Sequence, residues 1–201
     1  MSIVRTLLKN IIEAALLAAA KPLTIEQMQA LFEETERPSK AALEAVIKTL
    51  QGELSNRGFE LVEVAGGWRF QVRDTMAPWV SRLWEEKPQR YSRALLETLA
   101  LVAYRQPITR GDIEDIRGVA VSTQIMRTLL ERNWVKVVGH KDVPGRPAMY
   151  ATTREFLDYF NLKSLEQLPS LAEIRDFESL NLELDLQQAQ DLADAAEQAT
   201  A

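Results

Sequence analysis

The segment from Tyr91 to Tyr159 constrains the fold of this chain most strongly, because its signals for helices and strands come in a recognisable order. Apolar residues at helical spacing, followed by two runs rich in β-branched and aromatic residues, predict three helices and then two strands, at 92–105, 110–117, 122–133, 134–138 and 149–153. Thr109 and Asp112 have the spacing of a capping box at the start of the second helix, and Gly118 ends that helix. Three helices followed by a β-hairpin are the pattern of a winged helix, in which the hairpin forms the wing.

The residues before this segment predict the same order of elements once more. The predicted elements are an amphipathic first helix, two further helices and two strands, over residues 3–19, 25–34, 39–54, 59–64 and 68–72. Thr24 and Gln27 have capping-box spacing, and Ser39 can cap the third helix. The predicted fold class is therefore mainly α with small β-hairpins (α+β), built from tandem winged-helix domains.

Shifts in composition predict two domains and a tail. Residues 76–86 carry Trp79, Leu83 and Trp84 on one apolar helical face, and residues 87–90 have the composition of an interdomain joint. The predicted organisation is an N-terminal winged-helix domain, a C-terminal winged-helix domain and an acidic, disordered tail, over 1–88, 89–170 and 171–201.

The tail has two interpretations. Residues 171–201 hold eight acidic residues and one basic residue, a composition that favours a solvated, disordered segment. In the alternative, which stays open, the leucines Leu182, Leu184 and Leu186 dock on a partner.

Residue types that serve catalysis and metal binding are scarce. The chain has no cysteine, so it can form neither disulfides nor thiolate metal sites, which fits a reducing cytosol. His140 is the single histidine, which excludes a metal site with several histidines from one chain. There is no phosphate-binding loop, no dinucleotide fingerprint and no paired acid and base. The sequence therefore predicts a protein that is not an enzyme and has no cofactor and no metal site.

Neither a signal peptide nor a membrane span is predicted. Glu13 interrupts the apolar N-terminal segment, whose apolar residues follow helical spacing, so an amphipathic helix is favoured. No apolar run approaches the length of a transmembrane helix, and we expect no membrane contact.

The charge distribution argues against a dedicated DNA-binding protein. The whole chain has a net charge of −5, and residues 90–150 have ten basic and six acidic residues. The third helix of the second domain offers only Arg127 and Arg132, with Glu131 between them. Any contact with DNA is therefore expected to be indirect or weak.

Several motifs in the second domain occur in the same order as in a known family. They resemble signature segments of the bacterial segregation and condensation protein B (ScpB) family, at 104–110 (YRQPITR), 116–118, 141–147 (KDVPGRP), 150–153, 155–160 and 165–169. The resemblance covers roughly residues 1–170 and leaves out the tail. Ala151 and Asn161 stand where glycine is expected in many relatives.

The resemblance implies a specific function. Proteins of this family are non-catalytic subunits of the bacterial SMC–kleisin condensin complex, which takes part in chromosome condensation and partition during cell division. They are homodimers and bind the kleisin ScpA, which bridges the heads of the SMC ATPase. The implied location is the cytoplasm, with association to the nucleoid through the SMC complex.

The resemblance also implies candidate contact residues, since the N-terminal domain is associated with dimerisation and the C-terminal domain with the kleisin. The candidate dimer contacts lie on the first helix and are Ile3, Leu7, Leu8, Ile11 and Ile12. The candidate kleisin contacts lie at helix ends and in the wing loop and are Arg105, Arg117, Lys141, Asp142, Gly145, Arg146 and Pro147.

Alternatives stay open for these residues and for the function. Gly145 between two prolines can simply shape the wing, and Arg105 and Arg117 can tie helix ends together through backbone carbonyls. A winged-helix DNA-binding transcriptional regulator is the alternative function. An enzyme-associated scaffold unrelated to chromosomes would fit the fold as well.

Overall fold

The computed structural model describes residues 5–83 and 91–170, and residues 5–83 (the first half) pack with residues 91–165 (the second half) as one compact unit. The predicted joint at 87–90, the tail at 171–201, Ile3 and Trp84 lie outside the described residues. None of the helices in the described ranges is long and apolar enough to cross a membrane.

The first half contains three helices, a hairpin and a short helical end segment. Its elements are α1 (Arg5–Ala18), α2 (Ile25–Gln29), α3 (Lys40–Glu53), β1 (Phe59–Val64), β2 (Gly67–Val72) and α4 (Ala77–Val80), with 3₁₀ turns at Asp74–Met76 and Ser81–Leu83. Its core forms where one face of α1 meets α3 and the inner face of the hairpin, and it includes the fully buried Ile12, Leu43 and Leu50. Complete burial of a side chain of this size contributes about 1.5–3 kcal/mol.

The second half repeats this order with a more complete sheet. Its elements are α5 (Arg93–Arg105), β3 (Ile108–Thr109), α6 (Arg110–Arg117), α7 (Thr123–Glu131), β4 (Val135–His140), β5 (Ala148–Thr152) and α8 (Arg154–Tyr159). The three strands are antiparallel in the order β3-β5-β4. The architecture confirms the predicted α+β class with tandem winged helices.

The repeat extends to equivalent backbone contacts in the two halves. In the second half, Ile108 pairs with Tyr150 of β5, directly before the helix cap Thr109. In the first half, Leu23 exchanges two backbone hydrogen bonds with Trp68 of β2, at 2.8 and 2.9 Å, directly before the helix cap Thr24. The sequence prediction missed strand β3, because two residues are too few to show an alternating pattern.

The predicted helix ends are mostly confirmed. Both capping boxes are present, at Thr24 and at Thr109, and Ser39 caps α3. Gly118 ends α6 with φ of +69°, a left-handed conformation that glycine adopts without steric cost. Asn161, where glycine was expected, has φ of +57°, and asparagine tolerates this region better than most residues.

Two predictions about helices need correction. The second helix was predicted over 25–34 but ends at Gln29, because the backbone N–H groups of Leu31 and Phe32 bond to carbonyls three residues back. This tighter turn brings Phe32 into the core. The helical face predicted over 76–86 does not form on one continuous α-helix, since the described residues there form a short helix at Ala77–Val80 and a 3₁₀ turn at Ser81–Leu83, with Trp79 63% exposed and Leu83 76% exposed.

Candidate partner-binding site

The wing of the second half is β4, β5 and the loop Lys141–Pro147, which its own backbone holds in shape. The N–H of Lys141 donates to the carbonyl of Pro147 and the N–H of Arg146 donates to the carbonyl of Val143, each at 2.9 Å. Gly145 and Arg146 have φ of +85° and +38°, so the chain turns sharply at the tip. Gly145 adopts a left-handed conformation at this turn, and the side chains of Asp142 and Arg146 are exposed.

The wing exposes three apolar side chains among charged ones such as Lys136 and Arg146. Val137 is 46% exposed, and Val138 and Val143 are exposed to a similar degree. The register of β4 against β5 shifts between Val137 and Gly139, and this irregularity leaves two consecutive valines accessible. Sequence reasoning missed this surface, because a regular strand would have turned one of the two valines inward.

The base of the wing loop is tied to α6 through Asp112. The ammonium group of Lys141 lies 3.0 Å from Asp112 Oδ1, while Asp112 Oδ2 accepts hydrogen bonds from the hydroxyl and the N–H of Thr109 at 2.7 and 3.1 Å. Hydrogen bonds from the Thr109 hydroxyl, from Lys141 and from the Thr109 N–H lower the pKa of Asp112 from 3.8 to about 2. Lys141 is thus already paired within the chain.

The two candidate arginines at helix ends occupy different environments. Arg105 is exposed at the end of α5. Arg117 is 10% exposed and joins α6 to α5, since its Nη2 lies 3.0 Å from Glu97 Oε2 and its Nη1 lies 3.4 Å from Thr98 Oγ1. Its buried Nε has no hydrogen-bond partner among the described residues. Arg117 therefore ties two helices together, as the alternative suggested, but through side chains rather than carbonyls.

The arginines of α7 and its end also have partners within the chain. Arg127 Nε lies 2.7 Å from Glu131 Oε1, and this carboxylate raises the pKa of Arg127. The guanidinium of Arg132 stacks over Tyr91 and Trp134, with 4.9 and 5.5 Å to the ring centroids. The helix that would enter a DNA groove thus presents arginines that are already engaged.

An aromatic cluster surrounds the start of β4, and sequence reasoning did not find it. Trp134 is buried against Tyr91, Tyr159 and Phe160, with ring centroids 5.2, 4.7 and 5.4 Å away. Burial and a hydrogen bond with Tyr159 raise the pKa of Tyr91. The individual aromatic residues are visible in the sequence, but their meeting depends on how α8 packs against the strand.

The candidate dimer residues on α1 divide into two groups. Leu8 and Ile12 are buried in the core of the first half, and Ile11 is half-buried against that core. Leu7 is 53% exposed. Leu17, which was not among the candidates, is exposed on the same helix. Within the described part of α1, Leu7 and the accessible part of Ile11 are the candidate side chains that another molecule can reach.

Comparisons with known proteins agree on one family. The family model described as "Segregation and condensation complex subunit ScpB" matches residues 10–171. The segregation and condensation protein B homolog of Coxiella burnetii is 56% identical over 172 residues, which are 86% of this chain and 82% of that protein. Segregation and condensation protein B of Syntrophotalea carbinolica is 46% identical over 182 residues, 89% of this chain and 91% of that protein.

Two solved structures with similar sequences carry the same family name. The crystal structure of ScpB from Mycobacterium tuberculosis is 36% identical and covers 80% of this chain and 98% of that one, with a TM-score of 0.37. A crystal structure described as a dimer of the ScpB N-terminal domain complexed with ScpA peptide is 33% identical and covers 38% of this chain and 93% of that one, with a TM-score of 0.34. On the evidence of the family model and the two sequence relatives, this chain belongs to the segregation and condensation protein B family, the ScpB subunits of segregation and condensation complexes.

Proposed function

We propose that this protein is a non-catalytic subunit of the bacterial SMC–kleisin condensin complex, and that its second winged helix binds the kleisin ScpA. It takes part in chromosome condensation and partition at the nucleoid, and it reaches the SMC ATPase through the kleisin. The boundary between a dimerising domain at 1–88 and a kleisin-binding domain at 89–170 is part of this proposal.

The observation that carries the proposal is the exposure of three valines on the wing. Val137, Val138 and Val143 are each more than 40% exposed on this one hairpin, beside the exposed Lys136 and Arg146. Exposed apolar side chains beside charged ones favour a protein partner, because interfaces combine an apolar centre with a polar rim. In this arrangement the valines are the anchors, and Asp142, Arg146 and Arg105 lie at the rim.

The alternative of a DNA-binding regulator has less support. Arg127 pairs with Glu131, Lys141 pairs with Asp112, and Arg132 stacks on aromatic rings. Each of these cations already has an acidic or aromatic neighbour that offsets part of its charge toward a phosphate. DNA binding is accordingly proposed to be weak or indirect.

Self-association is proposed to occur through the first half. Leu7 is exposed on α1 and can contact the same helix of a second copy in an isologous dimer. Leu8 and Ile12 support this surface from beneath by holding α1 on the core, and neither contacts the second copy.

The central experiment is calorimetry of the full chain with a peptide from the middle of the ScpA kleisin of the same bacterium. Val137→Asp is expected to weaken binding by tenfold or more, about 1.4 kcal/mol, because it places a charge in an apolar interface. Val72→Asp is the matched control, since Val72 is 45% exposed and Val137 is 46% exposed, each on a hairpin strand. Arg146→Glu should weaken binding and leave the fold intact, with Arg37→Glu as its exposed control.

Salt dependence separates the two functions. Binding of the ScpA peptide should change by less than about tenfold between 50 and 200 mM salt, whereas a protein that covers six or more phosphates loses about a thousandfold. Duplex DNA titrated into the same protein provides the comparison. Tight, steeply salt-dependent DNA binding without peptide binding would establish the regulator, and binding to neither would favour the unrelated scaffold.

A further inference from the structure

The turn of the first hairpin contacts α8 and the residues that follow it. The two backbones meet directly, since the N–H of Ala65 donates to the carbonyl of Leu162 at 2.9 Å. Four hydrogen bonds that involve side chains extend this contact. The N–H of Gly66 donates to Asp158 Oδ1 at 2.5 Å, and Arg154 Nε donates to the carbonyl of Ala65 at 2.8 Å. Arg69 Nη2 donates to Asn161 Oδ1 and Lys163 Nζ donates to Glu63 Oε2, each at 2.5 Å. A continuous row of polar contacts thus joins the two halves.

Gly66 lies at the centre of this row, where the backbone and Asp158 approach too closely for a side chain. A Cβ atom at this position would lie 2.4 Å from Asp158 Oδ2 and 2.9 Å from its Cγ. Gly66 does not have a positive φ, so a substitution there acts through this collision rather than through backbone strain. A side chain at this position would therefore force the Asp158 carboxylate to move away from its place beside the Gly66 N–H.

The chemistry of the contact makes it reversible. The main apolar cluster of the first half, from Leu8 to Leu61, consists of residues of that half, whereas the contact with α8 consists of hydrogen bonds and ion pairs. A cleft of about 380 Å³ lies beside the row, and its lining includes Lys21, Arg69, Arg154 and Tyr159. Polar interfaces between domains generally permit relative motion, because water can replace their hydrogen bonds.

Helix α8 connects this contact to the rest of the second half. Asp158 and Arg154 face the first hairpin, while Phe156 and Tyr159 belong to the aromatic cluster around Trp134. A displacement of the first hairpin therefore acts on a helix that is anchored in the second half by aromatic packing. This gives the contact a rigid support on the side of α8.

We propose that these contacts, from Glu63–Lys163 to Arg69–Asn161, form an interdomain latch. In this latch the hydrogen bond from the Gly66 N–H to Asp158 fixes the relative orientation of the two winged helices. With the latch closed, the halves move as one body, and breaking it frees them to reorient. The proposal concerns this chain alone and does not depend on the identity of its partners.

The test is a distance measurement in the full chain. Because the chain has no cysteine, Glu44→Cys on α3 and Asp115→Cys on α6 provide two specific sites for spin labels, both exposed on helices. Pulsed electron spin resonance then gives the distribution of distances between the labels. Dilution with unlabelled protein removes distances between copies.

Two variants and two matched controls complete the design. Gly66→Ala introduces the colliding atom, whereas Gly52→Ala adds the same atom on α3 where nothing lies within 4 Å. Asp158→Ala removes the carboxylate that accepts the hydrogen bond from the Gly66 N–H. Its control is Glu155→Ala, because Glu155 is an acidic residue of the same helix and forms no ion pair among the described residues. None of the four changes touches a buried apolar side chain, so each variant is expected to fold.

The expected result is one narrow distribution for the unsubstituted chain and both controls, and a distribution at least twice as wide for Gly66→Ala and Asp158→Ala. A broad distribution in the unsubstituted chain would overturn the latch. So would unchanged widths in both latch variants. Neither result would affect the proposed binding of ScpA, which is measured separately.

Discussion

At the scale of single residues, Asp112 connects the start of a helix to the geometry of the wing. One oxygen closes the capping box of α6 with Thr109, and the other pairs with Lys141 at the base of the wing loop. The sequence shows the first of these contacts, because a cap and its partner lie three residues apart. The second spans 29 residues and exists only after the hairpin has packed beside α6.

The lowered pKa of Asp112 gives a prediction about acid stability. Since the pKa is about 2 in the folded chain and ordinarily 3.8, the ionised carboxylate stabilises the fold fully above 3.8, and this contribution is lost as the pH falls toward 2. Asp112→Asn should therefore lower the urea midpoint at pH 6, and the difference from the unsubstituted chain should shrink between pH 4 and pH 2. A difference that stays constant over this range would show that ionisation of Asp112 does not contribute.

At the scale of elements, α1 illustrates how one amphipathic helix has one face in the core and one face exposed. Its inner face carries Leu8, Ile12 and Leu16 into the core, and its outer face presents Leu7 and Leu17. The helical spacing in the sequence predicted the apolar stripe correctly. It did not show which of the adjacent apolar residues α3 and the hairpin would cover, because that depends on the angle at which they pack.

The two faces predict opposite effects of substitution on α1. Ile12→Ala should destabilise the fold by about 2–5 kcal/mol, because it leaves a cavity at a fully buried position. Leu7→Asp should leave the urea midpoint of the monomer unchanged and weaken the homodimer, because it puts a charge on the proposed contact. Light scattering and urea unfolding of the full chain measure both properties. A dimer that is unaffected by Leu7→Asp would move the contact away from this face.

At the scale of the whole molecule, the two winged helices differ in what they expose. The hairpin of the second half exposes three valines, while the hairpin of the first half contacts α8 through its turn. The two copies of one architecture thus differ in what their hairpins contact within the chain. The proposed function assigns the wing of the second half to ScpA and the first half to self-association.

This division predicts how the chain assembles with the SMC ATPase. Affinity-tagged protein should recover the ATPase from a mixture only when ScpA is present, since the proposed link runs through the kleisin. Val137→Asp should lose ScpA and the ATPase together, and Val72→Asp should retain both. Recovery of the ATPase without ScpA would show a direct contact that the proposal does not contain.

The sequence by itself determined the order of the elements and most of their ends. Capping residues, helix-ending glycine and alternating strands act over a few neighbouring positions, so their effect can be read locally. The recurring order of predicted elements also indicated the repeat, and the structure shows the same strand contact before each helix cap. The family resemblance rested on ordered motifs of this kind.

Only the tertiary structure decided which side chains are available. Arg117 was a candidate for partner binding and is committed to Glu97, while Val137 was an ordinary strand residue and is exposed by an irregular register. The contact of Gly66 with Asp158 joins residues that are 92 positions apart in the sequence, and no local sequence pattern predicts it. Burial and long-range pairing depend on how separate elements meet in space, and that geometry is a property of the whole packed chain rather than of any short segment.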